Sequence, residues 1–294
     1  MPELPDILLY LHAFEEHVVG SKLQGCLVKS PSLLKTFSPA LESCLGLELT
    51  QVSRCGKRIV WHFDDKYYVV FHLMIAGRFQ WSSTTKVLRG KSDLARFDFT
   101  PGTLRLTEAG SKRRAGIWCF DNIQKVDSLN AGGVNVLESD KRAIENALLL
   151  SNNTLKRALT DPKRFDGIGN AYSDEILHAA KLSPLQRTHN LSSPEISRLT
   201  DAMRETLTFW IQHLQVKEGD RFPKKVTAFR PEMSVHGKFS EPCPVCGIAI
   251  QRIRYATNEC NYCPGCQTDG KILADRSLSR LLKDDWPTSI DDLE

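Results

Sequence analysis

The sequence predicts a multidomain α+β protein, and three stretches carry that prediction. Residues from about Lys22 to Asp127 run in short segments rich in Val, Ile, Phe, Trp and Tyr; residues from Ala143 to Gln215 carry helical periodicity; two CxxC knuckles follow. The first pattern is that of an all-β sandwich or barrel, the second of an all-α domain, and the third of a small ribbon folded by a metal. With 294 residues, 41% of them hydrophobic, the chain can build more than one core.

Composition narrows the classes. The first twenty residues carry Glu3, Asp6, Glu15 and Glu16 without a long apolar run, and no later window is apolar enough to span a bilayer. The expectation is a soluble, intracellular protein with no membrane partner. The net charge of +4 permits nucleic-acid binding without arguing for it. The closing stretch is acidic through Asp284, Asp285, Asp291, Asp292 and Glu294, so the preceding body is more basic than the total. Nine cysteines without a secretory signal point to thiols and a metal site, not to a disulfide framework.

In chain order, Ile7, Leu8, Leu11, Phe14 and Val18 have the spacing of a helix over about Pro5 to Val19 that packs one face on a core. Strands are expected at Arg58–Phe63 and Tyr67–His72, with Asp64-Asp65, Gly77, Pro101-Gly102 and Ser111 as breakers. Residues 128–140 read as a linker. Helices follow at Ala143–Leu150, Thr154–Thr160, Asn170–Ala180 and Pro194–Gln215, the last with Ser193 as an N-cap before proline. The polar run from Lys217 to Lys225 reads as a loop.

Four groups of residues carry chemistry. If Met1 is removed, as small Pro2 allows, the chain begins with a secondary amine beside the Glu3 carboxylate. Such an amine attacks an aldehyde-like carbon to form an iminium, and α-amino groups titrate near ~8, well below a lysine. Many chains begin Met-Pro without chemical purpose, and a helix start favours an acid in any case. Gly56-Lys57-Arg58 places cations on a turn before a strand, where a solvated charge cluster is the ordinary explanation. Phe165-Asp-Gly-Ile-Gly-Asn170 joins two helices through glycines, either as a plain connection or as a phosphate seat at a helix start. Cys243-Pro-Val-Cys246 and Cys263-Pro-Gly-Cys266 supply four thiolates and no open position, which suits one structural Zn²⁺; Cys260 falls outside this register.

Pro2-Glu3-Leu4-Pro5, the Gly56-Lys57-Arg58 turn, the Leu155-Lys156 to Glu175 block with Gly-Ile-Gly-Asn170, and the Cys-Pro-x-Cys ribbon ending at Gln267 resemble, in the same order, the formamidopyrimidine-DNA glycosylase and endonuclease VIII family. The resemblance implies an N-terminal β-sandwich domain with an N-terminal helix (1–127), the linker (128–140), a helix-two-turn-helix domain (141–225), a zinc ribbon (226–271) and a tail (272–294). It implies a monomeric, DNA-associated bifunctional DNA glycosylase and AP lyase. Its partner would be double-stranded DNA containing a damaged base or abasic site.

By resemblance, Pro2 is the nucleophile at C1′, Glu3 the general acid toward the sugar oxygen, and Lys57 a phosphate contact that assists elimination. His72, Ile75, Arg113, Arg114, Lys156, Asn170, Arg254 and Asn258 would contact nucleic acid. Several positions depart from the family pattern. Ile75, with Met74 before it, stands where a wedge methionine is usual; Ala115 replaces an aromatic and implies a larger pocket at the opposite base; Asp6 replaces a frequent glutamate. Asn258 replaces a phosphate-binding arginine linked to δ-elimination, with Arg252 or Arg254 as substitutes by proximity. Residues from Lys217 to Arg230 fall where the family has a lesion-capping loop. Three other readings compete: a damaged-DNA binder without excision, a glycosylase for bulky or alkylated adducts, and a zinc-ribbon scaffold.

Overall fold

The computed structural model describes residues 1–110, 112–224, 226–255, 258–275 and 287–292. Ser111, Lys225 and the tail acids Asp284, Asp285 and Glu294 lie outside the described residues. The chain forms two compact units, one from Met1–Ala131 with Trp210–Ala228, the other from Gly132–Phe209 with the residues from Phe229 onward.

The first unit is a β-sandwich behind a helix. Helix α1 (Leu4–His17) is followed by β1 (Leu23–Val28), β2 (Leu49–Cys55), β3 (Arg58–Phe63), β4 (Tyr67–His72), β5 (Gly77–Ser82), β6 (Asp93–Phe99), β7 (Gly102–Glu108), β8 (Gly116–Phe120) and a short α2 (Ile123–Asp127). Two four-stranded antiparallel sheets result, ordered β1-β6-β7-β5 and β2-β3-β4-β8. Strands β3 and β4 match the runs read from sequence. Asp64 and Asp65 both take positive φ, as a tight hairpin turn requires.

Aromatic side chains from both sheets form the core. Trp61 of β3 lies 5.1 Å from Phe97 of β6, and Phe71 of β4 lies 5.1 Å from Phe79 of β5, both edge-on. Phe14 of α1 joins them at 5.1 Å from Phe79, so the helix carrying the amino end is mounted on this core. Leu4, Ile7, Tyr10 and Phe14 are all buried. Burying side chains of this size contributes roughly 1.5–3 kcal/mol each, enough to hold the first residues in place.

The second unit is helical with a ribbon. It holds α3 (Lys141–Leu149), α4 (Leu155–Thr160), α5 (Asn170–Ala179), the hairpin β9 (Gln251–Arg254) and β10 (Glu259–Tyr262), and α7 (Pro264–Gln267). Helix α6 (Ser193–Glu218) contributes residues to both units. Its start differs from expectation by one residue. Ser192 caps it, donating its N–H and hydroxyl to Glu195 at 2.8 and 2.7 Å, so Ser193 is already helical. Within 128–140, Val134 bridges Phe165 and Val136 is fully buried. Among the described residues no helix is long and apolar enough to cross a membrane.

Candidate functional site

In the first unit, sheet register gathers the expected residues at one end. Arg58 pairs with His72, and His72 pairs with Gly116 on its other side. The Gly56-Lys57 turn, the loop after β4 with Met74 and exposed Ile75, and the segment Arg113-Arg114-Ala115 therefore leave the sheet along one row. Glu108 holds the last of these, accepting the N–H groups of Arg114 and Ala115 at 3.0 Å. Arg113 is exposed, with its guanidinium on the Lys91 carbonyl; Ala115 is packed inside at 4% exposure.

His72, the last residue of β4, is half-buried. Its Nδ1 accepts the Met74 N–H at 3.0 Å, so the neutral ring carries its proton on Nε2. Burial, then Arg58 and Lys57, push its pKa down to about 4. The neutral donor form therefore prevails at pH 7.

Pro2 and Glu3 are buried at the start of α1. The Glu3 N–H donates to Asp6 Oδ2 at 2.9 Å in a reciprocal capping box, so Glu3 has the ordinary helix-start role whatever else it does. The amino group one residue before Pro2 is held below its usual pKa, first by burial. Glu3 and Asp6 act to raise it, while Arg78 and Lys57 act to lower it. The amino end, Glu3 and Lys57 thus share one electrostatic neighbourhood.

The second unit has a buried polar core around α5. Lys156, 7% exposed, directs its ammonium to Asn170 O (2.6 Å), Ser173 Oγ (2.8 Å) and Asp174 Oδ1 (2.6 Å). His236 Nδ1–H donates to the other Asp174 oxygen at 2.8 Å. Burial alone would raise the Asp174 pKa, but Lys156 and His236 outweigh it and the carboxyl stays below its usual range. Glu175 accepts the backbone N–H groups of Ser234, Val235 and His236 at 2.8–2.9 Å. Asn170 Nδ2 donates to Glu259 O at 2.9 Å, tying the helix start to β10.

The four knuckle cysteines converge. Their sulfurs all lie within 4.8 Å of one another, with Cys246–Cys263 at 3.3 Å and Cys243–Cys266 at 3.9 Å. Four sulfurs about 2.3 Å from a common tetrahedral centre would stand about 3.8 Å apart, so this set can hold a metal ion. His178 Nε2 stands 3.4 Å from Cys243 Sγ.

Comparison with known proteins decides the family. Family profiles for the formamidopyrimidine-DNA glycosylase N-terminal domain and H2TH domain match residues 1–118 and 134–217. An uncharacterized formamidopyrimidine-DNA glycosylase-like protein of Mycobacterium tuberculosis is 44% identical over 46% of this chain and 85% of its own length. This chain belongs to the formamidopyrimidine-DNA glycosylase family. The Syntrophomonas wolfei formamidopyrimidine-DNA glycosylase is 27% identical over 91% of this chain and its whole length. Solved structures agree in fold. A Lactococcus lactis FPG mutant with Fapy-dG-containing DNA superposes at TM-score 0.80 with 26% identity, covering 91% of this chain and 100% of that one. The Lactococcus lactis Fpg with abasic-site DNA gives 0.79 at 25%, covering 90% and 99%.

The donors of Lys156 turn inward to Asn170, Ser173 and Asp174, so it supports α5. Of the two candidates for the missing glycosylase arginine, Arg252 is occupied, 3.4 Å from Glu259 and stacked 4.0 Å from the Phe239 ring centroid. Arg254 and Asn258 are exposed on either side of the hairpin turn. Arg78 and Glu108 were not singled out from sequence, since a lone charge near a strand end carries no local pattern.

Proposed function

We propose that this chain excises oxidised or ring-opened bases from double-stranded DNA and cuts the resulting abasic site through an iminium on Pro2. The observation that carries this reading is the buried amino end of α1, with Glu3 beside it and Lys57 within electrostatic reach. Once Met1 is removed, the Pro2 nitrogen attacks C1′ and the bond to the base breaks. The cationic iminium withdraws electrons, the C2′ proton leaves, and the 3′ phosphate is expelled. Glu3 supplies a proton to the sugar oxygen, and Lys57 and the Nε2–H of His72 face the phosphates. A protein that merely held DNA would need none of Pro2, Glu3 and Lys57 together.

The cysteine cluster suits Zn²⁺ and its role is to fold the ribbon, since all four ligand positions are filled by protein. Ile75, 61% exposed, and Arg113 fill the space that the lesion leaves in the stack. Arg254 is the ribbon cation for the phosphate, since Arg252 is occupied by Glu259 and Phe239.

Borohydride trapping on an abasic-site duplex tests the central claim. The mature protein should give a covalent adduct, and a variant with an uncleaved extension before Pro2 should give none, because its nitrogen is an amide. No adduct from the mature protein would overturn the reading. On the same duplex, Arg254→Ala should lower δ-product and leave β-product, with Arg252→Ala as the control.

A further inference from the structure

The two buried knuckle sulfurs are tied to α5 and its exit in different ways. Cys243 is 3% exposed and Cys263 is fully buried, whereas Cys246 faces water. Gln267 links the second knuckle through its backbone: Gln267 Oε1 accepts the Cys263 N–H at 2.8 Å, and Gln267 Nε2 donates to Leu182 O at 2.9 Å. The first knuckle is reached by a side chain. His178, in the last turn of α5 and 6% exposed, sets its Nε2 3.4 Å from Cys243 Sγ.

The knuckle turns supply donors of their own. The Val245 N–H points to Cys243 Sγ and the Cys266 N–H to Cys263 Sγ, both at 3.4 Å. His178 is different, because it comes from a helix 65 residues earlier in the chain. Four thiolates around one dication leave a net negative charge, and donors that approach the sulfurs offset it. At Cys246 water can supply them. Cys243 is closed to water, so a donor lost there is not replaced. A metal-bound thiolate carries no proton, so Nε2 must bring the one that the two atoms share.

We infer that His178 is a positioning residue for the metal centre: its Nε2–H donates to the Cys243 thiolate, raises the affinity of the cluster for Zn²⁺ and joins that cluster to α5. This rests on the Zn²⁺ reading given above. The bond lies at the opposite end of α5 from Asn170, whose Nδ2 holds the Glu259 carbonyl of β10. The ribbon thereby grips the helix at both ends. The grip at the C-terminal end is strongest while the sulfur is a thiolate, since an ionised acceptor makes the stronger hydrogen bond.

The test uses the full chain as wild type, His178→Phe and His178→Gln, each loaded with Zn²⁺ and titrated with a chelating dye. Phenylalanine keeps a flat ring without a donor, and glutamine keeps an N–H at nearly the same reach. Losing an outer donor weakens metal binding roughly ten- to a hundredfold, so His178→Phe should lose at least about tenfold and His178→Gln should recover most of it. With Co²⁺ in place of Zn²⁺, the sulfur-to-metal charge-transfer band should move to lower energy in His178→Phe and return in His178→Gln, because an N–H donor stabilises the sulfur lone pair. An unmoved band overturns the inference, since a loss of affinity without it reports packing alone. If the phenylalanine variant does not fold, the wild type decides: long-range proton–nitrogen correlation on the Zn²⁺-loaded chain should find the ring proton on Nε2, and a proton on Nδ1 alone overturns the bond. A wild-type chain that takes up neither metal sinks the Zn²⁺ reading and this one with it, whereas metal uptake with an unmoved band sinks only the role of His178.

Discussion

Lys156 illustrates how little a charge in sequence says about its direction. Its ammonium sits 2.6 Å from a fully buried carboxylate, and removing one member of such a pair costs roughly 3–5 kcal/mol. Lys156→Met should therefore lower stability by that order in chemical denaturation. It should leave the salt dependence of DNA binding unchanged, whereas loss of a phosphate contact would reduce the slope by about 0.9. His72 makes a separate prediction. Its folded pKa of about 4 lies below the unperturbed ~6.5, so the folded state binds fewer protons than the unfolded chain between those values. Its contribution to stability is complete above about pH 6.5 and is lost as pH falls toward 4. His72→Gln, which keeps an acceptor for the Met74 N–H, should fall less steeply than wild type over that window in melting experiments.

Among the elements, the turn between β4 and β5 is the most exacting. Gly77 donates its N–H to Leu73 O at 2.8 Å, and a Cβ there would stand 2.2 Å from that same oxygen. Gly77→Ala must open the turn that presents Ile75, at a cost of about 1–3 kcal/mol. Denaturation should show the loss, and abasic-duplex affinity should fall with it. The hairpin runs Arg58–Phe63 and Tyr67–His72 were legible in sequence because β-rich runs and an Asp-Asp turn are local signals. The register between them was not, since it depends on which faces the aromatic core buries. That register sets Lys57, His72 and the Arg113-Arg114 segment on one row.

For the molecule as a whole, the cysteine cluster and the sandwich belong to different units. Removing the Zn²⁺ proposed for this cluster should then act unevenly. A strong chelator should release one Zn²⁺ per chain, and amide exchange should accelerate across β9 and β10 while β3 and β4 keep their protection. The start of α5 should loosen with the ribbon, because Asn170 donates to Glu259. Uniform acceleration over both units would show that they do not fold independently.

The residues alone determined what depends on neighbours in sequence: the paired CxxC spacing, the Pro2-Glu3 start, the strand and helix periods, and the glycine connection before Asn170. The tertiary structure decided what depends on partners far along the chain. It turned Lys156 inward to α5, engaged Arg252 with Glu259 and Phe239, and set His178 against Cys243. The physical reason is that spacing fixes which atoms a segment can present together, whereas burial and pairing energies are settled only when remote segments meet.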